Sequence, residues 1–105
     1  MVSFVTTFRL KEGYNPDETY RIWLETHAPA VKKRYRGFLR RYVISRITKA
    51  SEEDSDYFGM AQLWFDDIET ATKARKDAGT LTDEFTERIT DSRRVIVLDE
   101  HEVEL

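Results

Sequence analysis

Nine residues, Tyr57-Phe-Gly-Met-Ala-Gln-Leu-Trp-Phe65, place large apolar side chains on both faces of an extended chain. At a period of two, Tyr57, Ala61, Leu63 and Phe65 share one face, and Phe58, Met60 and Trp64 share the other. A half-exposed strand alternates apolar with polar residues; this one does not. Both faces therefore need a cover, and few small architectures supply two.

The flanking segments narrow the choice. Residues 2–10 alternate with period two and predict a strand, followed by a turn at Gly13-Tyr14. Asn15-Pro16-Asp17-Glu18 then predicts a helix start: Asn15 can cap, Pro16 suits the first helical position, and Glu18 has capping-box spacing. The helix is expected to run to about residue 35. Pro29 lacks an N–H and crowds the carbonyl of Glu25, which predicts a kink just after His27. Gly37 ends the segment. Residues 38–48 predict a second strand, Lys49 to Asp56 a polar acidic loop, and 57–65 the third strand. Asp66 or Asp67 caps a second helix through about Ala78, which Gly79 breaks. Thr82-Asp83-Glu84-Phe85 has the form of a short capped helix, and residues 93–103 predict the last strand. This β-α-β-β-α-β order predicts an α+β, ferredoxin-like fold, with an antiparallel sheet and its helices on one face. The second apolar face of residues 57–65 is then expected to pack on another copy of the same sheet, in a homodimer.

The 105 residues predict one domain, residues 1–105. Such a chain hides roughly 65% of its unfolded surface, enough for one core and a modest pocket. With 40% hydrophobic and 35% charged residues it is expected to be globular and soluble. A net charge of -3 gives no reason to expect nucleic acid, although Lys32-Lys33-Arg34-Tyr35-Arg36 and Arg40-Arg41 are locally basic. The absence of cysteine excludes disulfides, thiolate metal sites and cysteine nucleophiles. The chain enters a strand pattern at once, with no signal peptide or transmembrane run, so a cytoplasmic protein without a membrane partner is expected. His27 and His101 make no metal-ligand spacing, the four glycines form no phosphate loop, and no serine nucleophile signature is present.

One polar residue interrupts an apolar stripe. At about 100° per residue, Tyr20, Trp23, Leu24, His27, Ala30 and Val31 share a helix face, with His27 near its centre. An imidazole aimed into a core either finds a local partner or does chemistry. The structural reading bonds it to the carbonyl of Glu25 or Trp23, loosened by Pro29. The functional reading makes it a proton carrier facing a pocket.

Taken together, Trp23 with His27-Ala28-Pro29, Gly37-Phe38-Leu39-Arg40-Arg41-Tyr42, Leu63-Trp64-Phe65-Asp66-Asp67, Asp83-Glu84-Phe85 and the closing Val-Ile-Val-Leu-Asp-Glu-His-Glu-Val resemble the EthD family. This is a branch of the dimeric α+β barrel superfamily, and the likeness spans nearly the whole chain. The chain departs from the family pattern between His27 and Tyr42, where Tyr35-Arg36 precedes Gly37 and about two extra residues intervene. The resemblance implies a small cofactor-independent enzyme, an isomerase, cyclase or decarboxylase, working in a pocket between sheet and helices. Its substrate would be a lactone, an aromatic-derived acid or a polyketide-like compound. Alternatives are a non-catalytic accessory protein carrying a hydrophobic intermediate, and a cofactor-free monooxygenase. No flavin, haem or metal is expected.

Under the enzyme reading the catalytic set is His27, Tyr42 and Arg40. His27 would move the proton, the Tyr42 hydroxyl would donate to an enolate oxygen, and Arg40, on the Tyr42 face, would hold a carboxylate. Tyr20, Trp23, Val31, Tyr35, Trp64 and Phe85 are the candidates for an apolar binding surface, against the plainer reading that they fill the core. His101 is expected to be exposed or at the dimer edge.

Overall fold

The computed structural model describes residues 1–49, 51–90 and 94–105. Strands β1 (Val2–Arg9), β2 (Arg41–Arg46), β3 (Tyr57–Phe65) and β4 (Arg94–Asp99) form one antiparallel sheet in the order β2-β3-β1-β4. Helices α1 (Pro16–Ile22) and α2 (Ala28–Arg34) flank a turn of π-helix at Trp23–His27. Helices α3 (Ile68–Ala78) and α4 (Glu84–Arg88) follow β3. This is the ferredoxin-like arrangement that the order of periodicities predicts.

The helices cover one face, over two apolar clusters. Phe8, Ile22, Trp23, Phe58, Ala61, Phe85 and Ile89 make the first, and Phe4, Phe65, Ala71 and Ala74 the second. The predicted N-caps form, though not the capping box expected of Glu18. Asn15 accepts from Glu18 N–H at 2.9 Å while the Glu18 carboxylate accepts from Arg88 at 3.2 Å, and Asp67 opens α3 by accepting from Thr70 N–H at 2.7 Å. That bond and the Thr70 hydroxyl hold the Asp67 carboxyl below its usual range.

The expected kink at Pro29 takes a specific form. The N–H of Ala28 donates to the carbonyl of Trp23, five residues back, instead of to that of Leu24. Pro29 has no hydrogen to give Glu25 and its ring crowds that carbonyl, so the turn widens. The π-turn carries Trp23 at its start and His27 at its end.

Three sequence expectations need correction. The second strand begins at Arg41, not residue 38, because Phe38 and Leu39 both donate to the carbonyl of Tyr35 at 3.0 Å and stay in the turn around Gly37. Phe58 does not lie on the outer face. Phe8 opposes Gly59 while Arg9 opposes Tyr57, so Phe58 is an extra residue in the ladder, and the bulge turns it towards Trp23, ring centroids 5.9 Å apart. The last strand ends at Asp99. Beyond it Glu100 crosses onto the outer face and accepts from Ser3 Oγ at 2.9 Å and Gln62 Nε2 at 2.5 Å, while His101 is exposed. The predicted start of that strand at Arg93 and one residue of the acidic loop, Ala50, lie outside the described residues.

The outer face still lacks a helix. The register aligns Val43, Gln62, Val5 and Ile96 in one row, and Arg41, Trp64, Ser3 and Leu98 in the next. Ile96 is 48% exposed. Among the described residues, no helix is long and apolar enough to cross a membrane.

Candidate active site

Asp83 is an N-cap with a second task. Its Oδ1 accepts the N–H of Thr86 at 2.9 Å, and its own N–H donates to Thr86 Oγ1 at 2.8 Å. This capping box at the head of α4 fixes the carboxylate rotamer. The other oxygen, Oδ2, lies 2.6 Å from Nδ1 of His27. Both side chains are largely buried, 13% exposed for His27 and 16% for Asp83. Neither carbonyl expected to hold the imidazole does so; that of Trp23 is taken by Ala28.

The pair sits on an aromatic floor. The Phe85 ring lies 4.7 Å from that of His27 and stacks on Trp23 at 5.1 Å, 13° from parallel. Trp23 is fully buried and closes over Gly59, where a Cβ would come within 2.5 Å of Cζ3 and 2.7 Å of Cη2. An Nδ1–H donated to the Asp83 carboxylate leaves the lone pair of the imidazole on Nε2. Nε2 has no partner among the described residues.

His27 lines a cavity of about 260 Å³ between helices and sheet. Phe4, Phe65, Leu63 and Ala61 supply the sheet wall, and Trp23, Val31 and Tyr35 the helix wall. Tyr42 enters from β2, and Gly79, Thr80 and Leu81 close the end beyond α3. Burial pushes the Tyr42 phenol up to about 12, the neighbouring Trp23 indole opposes the rise, and the charges of Asp83 and Tyr35 add to it. The phenol therefore stays a hydrogen donor at neutral pH. Close as the indole is, Trp23 Nε1 makes no hydrogen bond of ordinary geometry, the sole buried side-chain polar atom in that state among the described residues.

A family model, the EthD domain, matches residues 11–91. The chain belongs to the EthD family. No curated protein matches this EthD-family chain. Solved structures are similar over nearly its whole length. An EthD family protein of Bacillus halodurans is 20% identical, with a TM-score of 0.65 over 96% of this chain and 99% of its own. SnoaB of Streptomyces nogalater, a cofactor-independent oxygenase, is 16% identical, with a TM-score of 0.60 over 97% and 94%. A dimeric protein of ferredoxin-like fold from Bacteroides fragilis is 13% identical, with a TM-score of 0.62 over 94% and 95%. At these identities the likeness is one of fold.

Within this EthD domain the structure brings His27, Tyr42, Trp23, Val31 and Tyr35 to one cavity. The other residues singled out in the sequence lie elsewhere. Arg40, which precedes β2, does not line the cavity that holds His27; it lines a second cavity together with Tyr35 and Tyr42. Its guanidinium instead makes a two-pronged pair with Asp66, at 3.0 and 2.9 Å, in solvent. That pair holds the Asp66 carboxyl below its usual range. Tyr20 packs edge-on against Trp23 and under Arg46, behind the cavity wall. Phe85 lies beneath His27 and Trp23, not on the cavity surface. Trp64 occupies the outer face, with the Arg41 guanidinium 4.5 Å from its ring centroid.

Three charged residues of the site escaped sequence reasoning. Asp83 reads locally as a helix cap, which it is; nothing near it points to a histidine 56 residues away. Arg34 and Arg75 also line the cavity. Both read as solvated helix charges, and only the packing of α2 and α3 over one cavity sets them apart. No group of three or more His, Cys, Asp or Glu among the described residues is placed to hold a metal ion.

Proposed function

We propose that this chain is a small cytoplasmic enzyme that transfers a proton on a hydrophobic or aromatic-derived carbonyl compound, using its own side chains. The observation that carries the reading is the 2.6 Å contact between His27 Nδ1 and Asp83, with Nε2 unpartnered among the described residues and His27 lining a cavity walled in part by aromatic rings. Such an arrangement suits a general base: the carboxylate orients the ring and stabilises the imidazolium that forms. Nε2 takes a proton from a carbon beside the carbonyl, and the C–H electron pair moves into an enolate. The enolate oxygen accepts from the Tyr42 hydroxyl, which burial keeps protonated. The imidazolium then returns the proton to a different carbon, or to the leaving position. Isomerisation, cyclisation and decarboxylation all pass through such a state. Asp83 is a positioning residue here, and His27 and Tyr42 are the catalytic ones.

The active form in this reading is a homodimer. Val43, Met60, Ile96 and Leu98 leave apolar surface open on the outer face, around Val5 and Trp64, which are buried within the chain, and a second sheet would cover it. The dimeric relative of the same fold supports it. The similarity to a cofactor-independent oxygenase favours a second reading, in which His27 deprotonates an electron-rich phenolic substrate that then reacts with oxygen.

Exchange of carbon-bound hydrogen for deuterium in heavy water, followed by proton NMR over a panel of aromatic keto acids and lactones, tests proton transfer. His27→Ala is expected to slow exchange by on the order of 10²–10⁴-fold with circular dichroism unchanged. An unchanged rate in the variant refutes the assignment. Substrate-dependent oxygen consumption at an electrode distinguishes the oxygenase reading.

A further inference from the structure

The cavity carries an electrostatic bias that proton transfer alone does not use. Of the sixteen residues that line it, Arg34, Arg75 and His27 are the basic ones and none is acidic, in a chain whose net charge is -3. Asp83, beneath His27, is already engaged on both oxygens. Elsewhere in the fold Arg9, Arg21, Arg40, Arg46 and Arg88 each pair with a carboxylate, whereas Arg36 and Arg41, which lie outside this cavity, have no such pair among the described residues. Arg34 and Arg75 have no carboxylate partner among the described residues. Arg75 is nonetheless positioned, its guanidinium 4.8 Å from the ring centroid of Phe4, itself a wall of the cavity. A guanidinium laid on an aromatic wall keeps its N–H edge free and loses little freedom when an anion arrives.

We infer that Arg34 and Arg75 form an anion subsite of this cavity, so that its ligand is a carboxylic acid with an aromatic or alicyclic body. The planar fork of an arginine matches a carboxylate and discriminates it from a neutral carbonyl. Phe4, Leu63, Phe65 and Val31 would take the apolar body in the cavity that His27 also lines. This inference deepens the proposed function by naming the substrate class of the same site, and it assigns to α2 and α3 the carboxylate role that Arg40, paired with Asp66, cannot fill.

Calorimetric titration of the full chain with 2-naphthoate and with 2-naphthamide, its neutral counterpart of the same shape, tests it. Naphthoate is expected to bind about tenfold or more tightly, the discrimination that one charge-assisted contact gives. Arg75→Gln and, separately, Arg34→Gln, at an exposed position, are each expected to reduce that ratio severalfold, through a larger loss of affinity for naphthoate than for naphthamide. Nitrogen-15 shift changes with naphthoate should centre on Val31, Thr80 and Leu81. Equal affinity for the two compounds, no binding of either at millimolar concentration, or an undiminished ratio in both variants would overturn the subsite. The readout is binding alone, so a failure of proton transfer at His27 leaves this result unaffected, and the converse holds.

Discussion

His27 owes its place to two residues with ordinary local jobs. Pro29 widens the turn that carries it, and Asp83 caps a helix with one oxygen while holding the imidazole with the other. The first was readable from the chain, as a proline one turn after Glu25. The second was not, because capping chemistry explains Asp83 completely and contact with His27 exists only once α4 packs on the π-turn. Tyr42 is legible on its strand, whereas the side-chain direction of Arg40 is not, since the strand starts after it and its guanidinium is drawn to Asp66. Burial of Tyr42 gives a pH prediction. Its pKa is raised from about 10 in the unfolded chain to about 12 in the native state. Between those values the native state keeps a proton that the unfolded state has lost, so stability falls as pH rises through this window and is unaffected below it. Chemical denaturation at a series of alkaline pH values should show that fall, and Tyr42→Phe should reduce it. An identical fall in the variant would show that Tyr42 is not the group responsible.

Strand β3 and the π-turn are built for each other. The bulge at Phe58 brings a fourth aromatic ring to Trp23, beside Phe8, Tyr20 and Phe85, and Gly59 leaves room for the indole that any side chain would occupy. Sequence patterning found all nine residues of β3 but put Phe58 on the wrong face, because a bulge resets the alternation and leaves no mark in a string of apolar residues. Gly59→Ala is expected to cost about 1–3 kcal/mol, the usual penalty for overpacking a core, because Trp23 lies against Phe8, Phe58 and Phe85 and has little room to retreat, and the Ser45 carbonyl, 3.1 Å from the added Cβ, crowds it as well. Urea denaturation measures it; a loss below about 0.5 kcal/mol, the range of an ordinary surface substitution, would contradict the close fit of indole and backbone.

The molecule as a whole has one face too many for its helices. Element order and the two-faced pattern of β3 predict both the ferredoxin-like fold and an uncovered sheet, and the register confirms that Val5, Val43 and Ile96 share the outer face. Light scattering is expected to give twice the chain mass, and Ile96→Glu, a charge at a half-exposed apolar position of that face, is expected to shift the population to monomer. A monomer at micromolar concentration in the unmodified protein would contradict the homodimer. The proposed chemistry uses the opposite face, in the cavity lined by the π-turn, α2 and α3. Its central claim is that Asp83 holds His27 with Nε2 free to accept a proton. Nitrogen-15 NMR of the imidazole tests this directly. The expected result at neutral pH is a hydrogen on Nδ1 and an unprotonated Nε2, with the two exchanged in Asp83→Asn, whose amide keeps the cap and offers the ring a donor instead of an acceptor. A hydrogen on Nε2 in the unmodified protein, or the same tautomer in both, would contradict it.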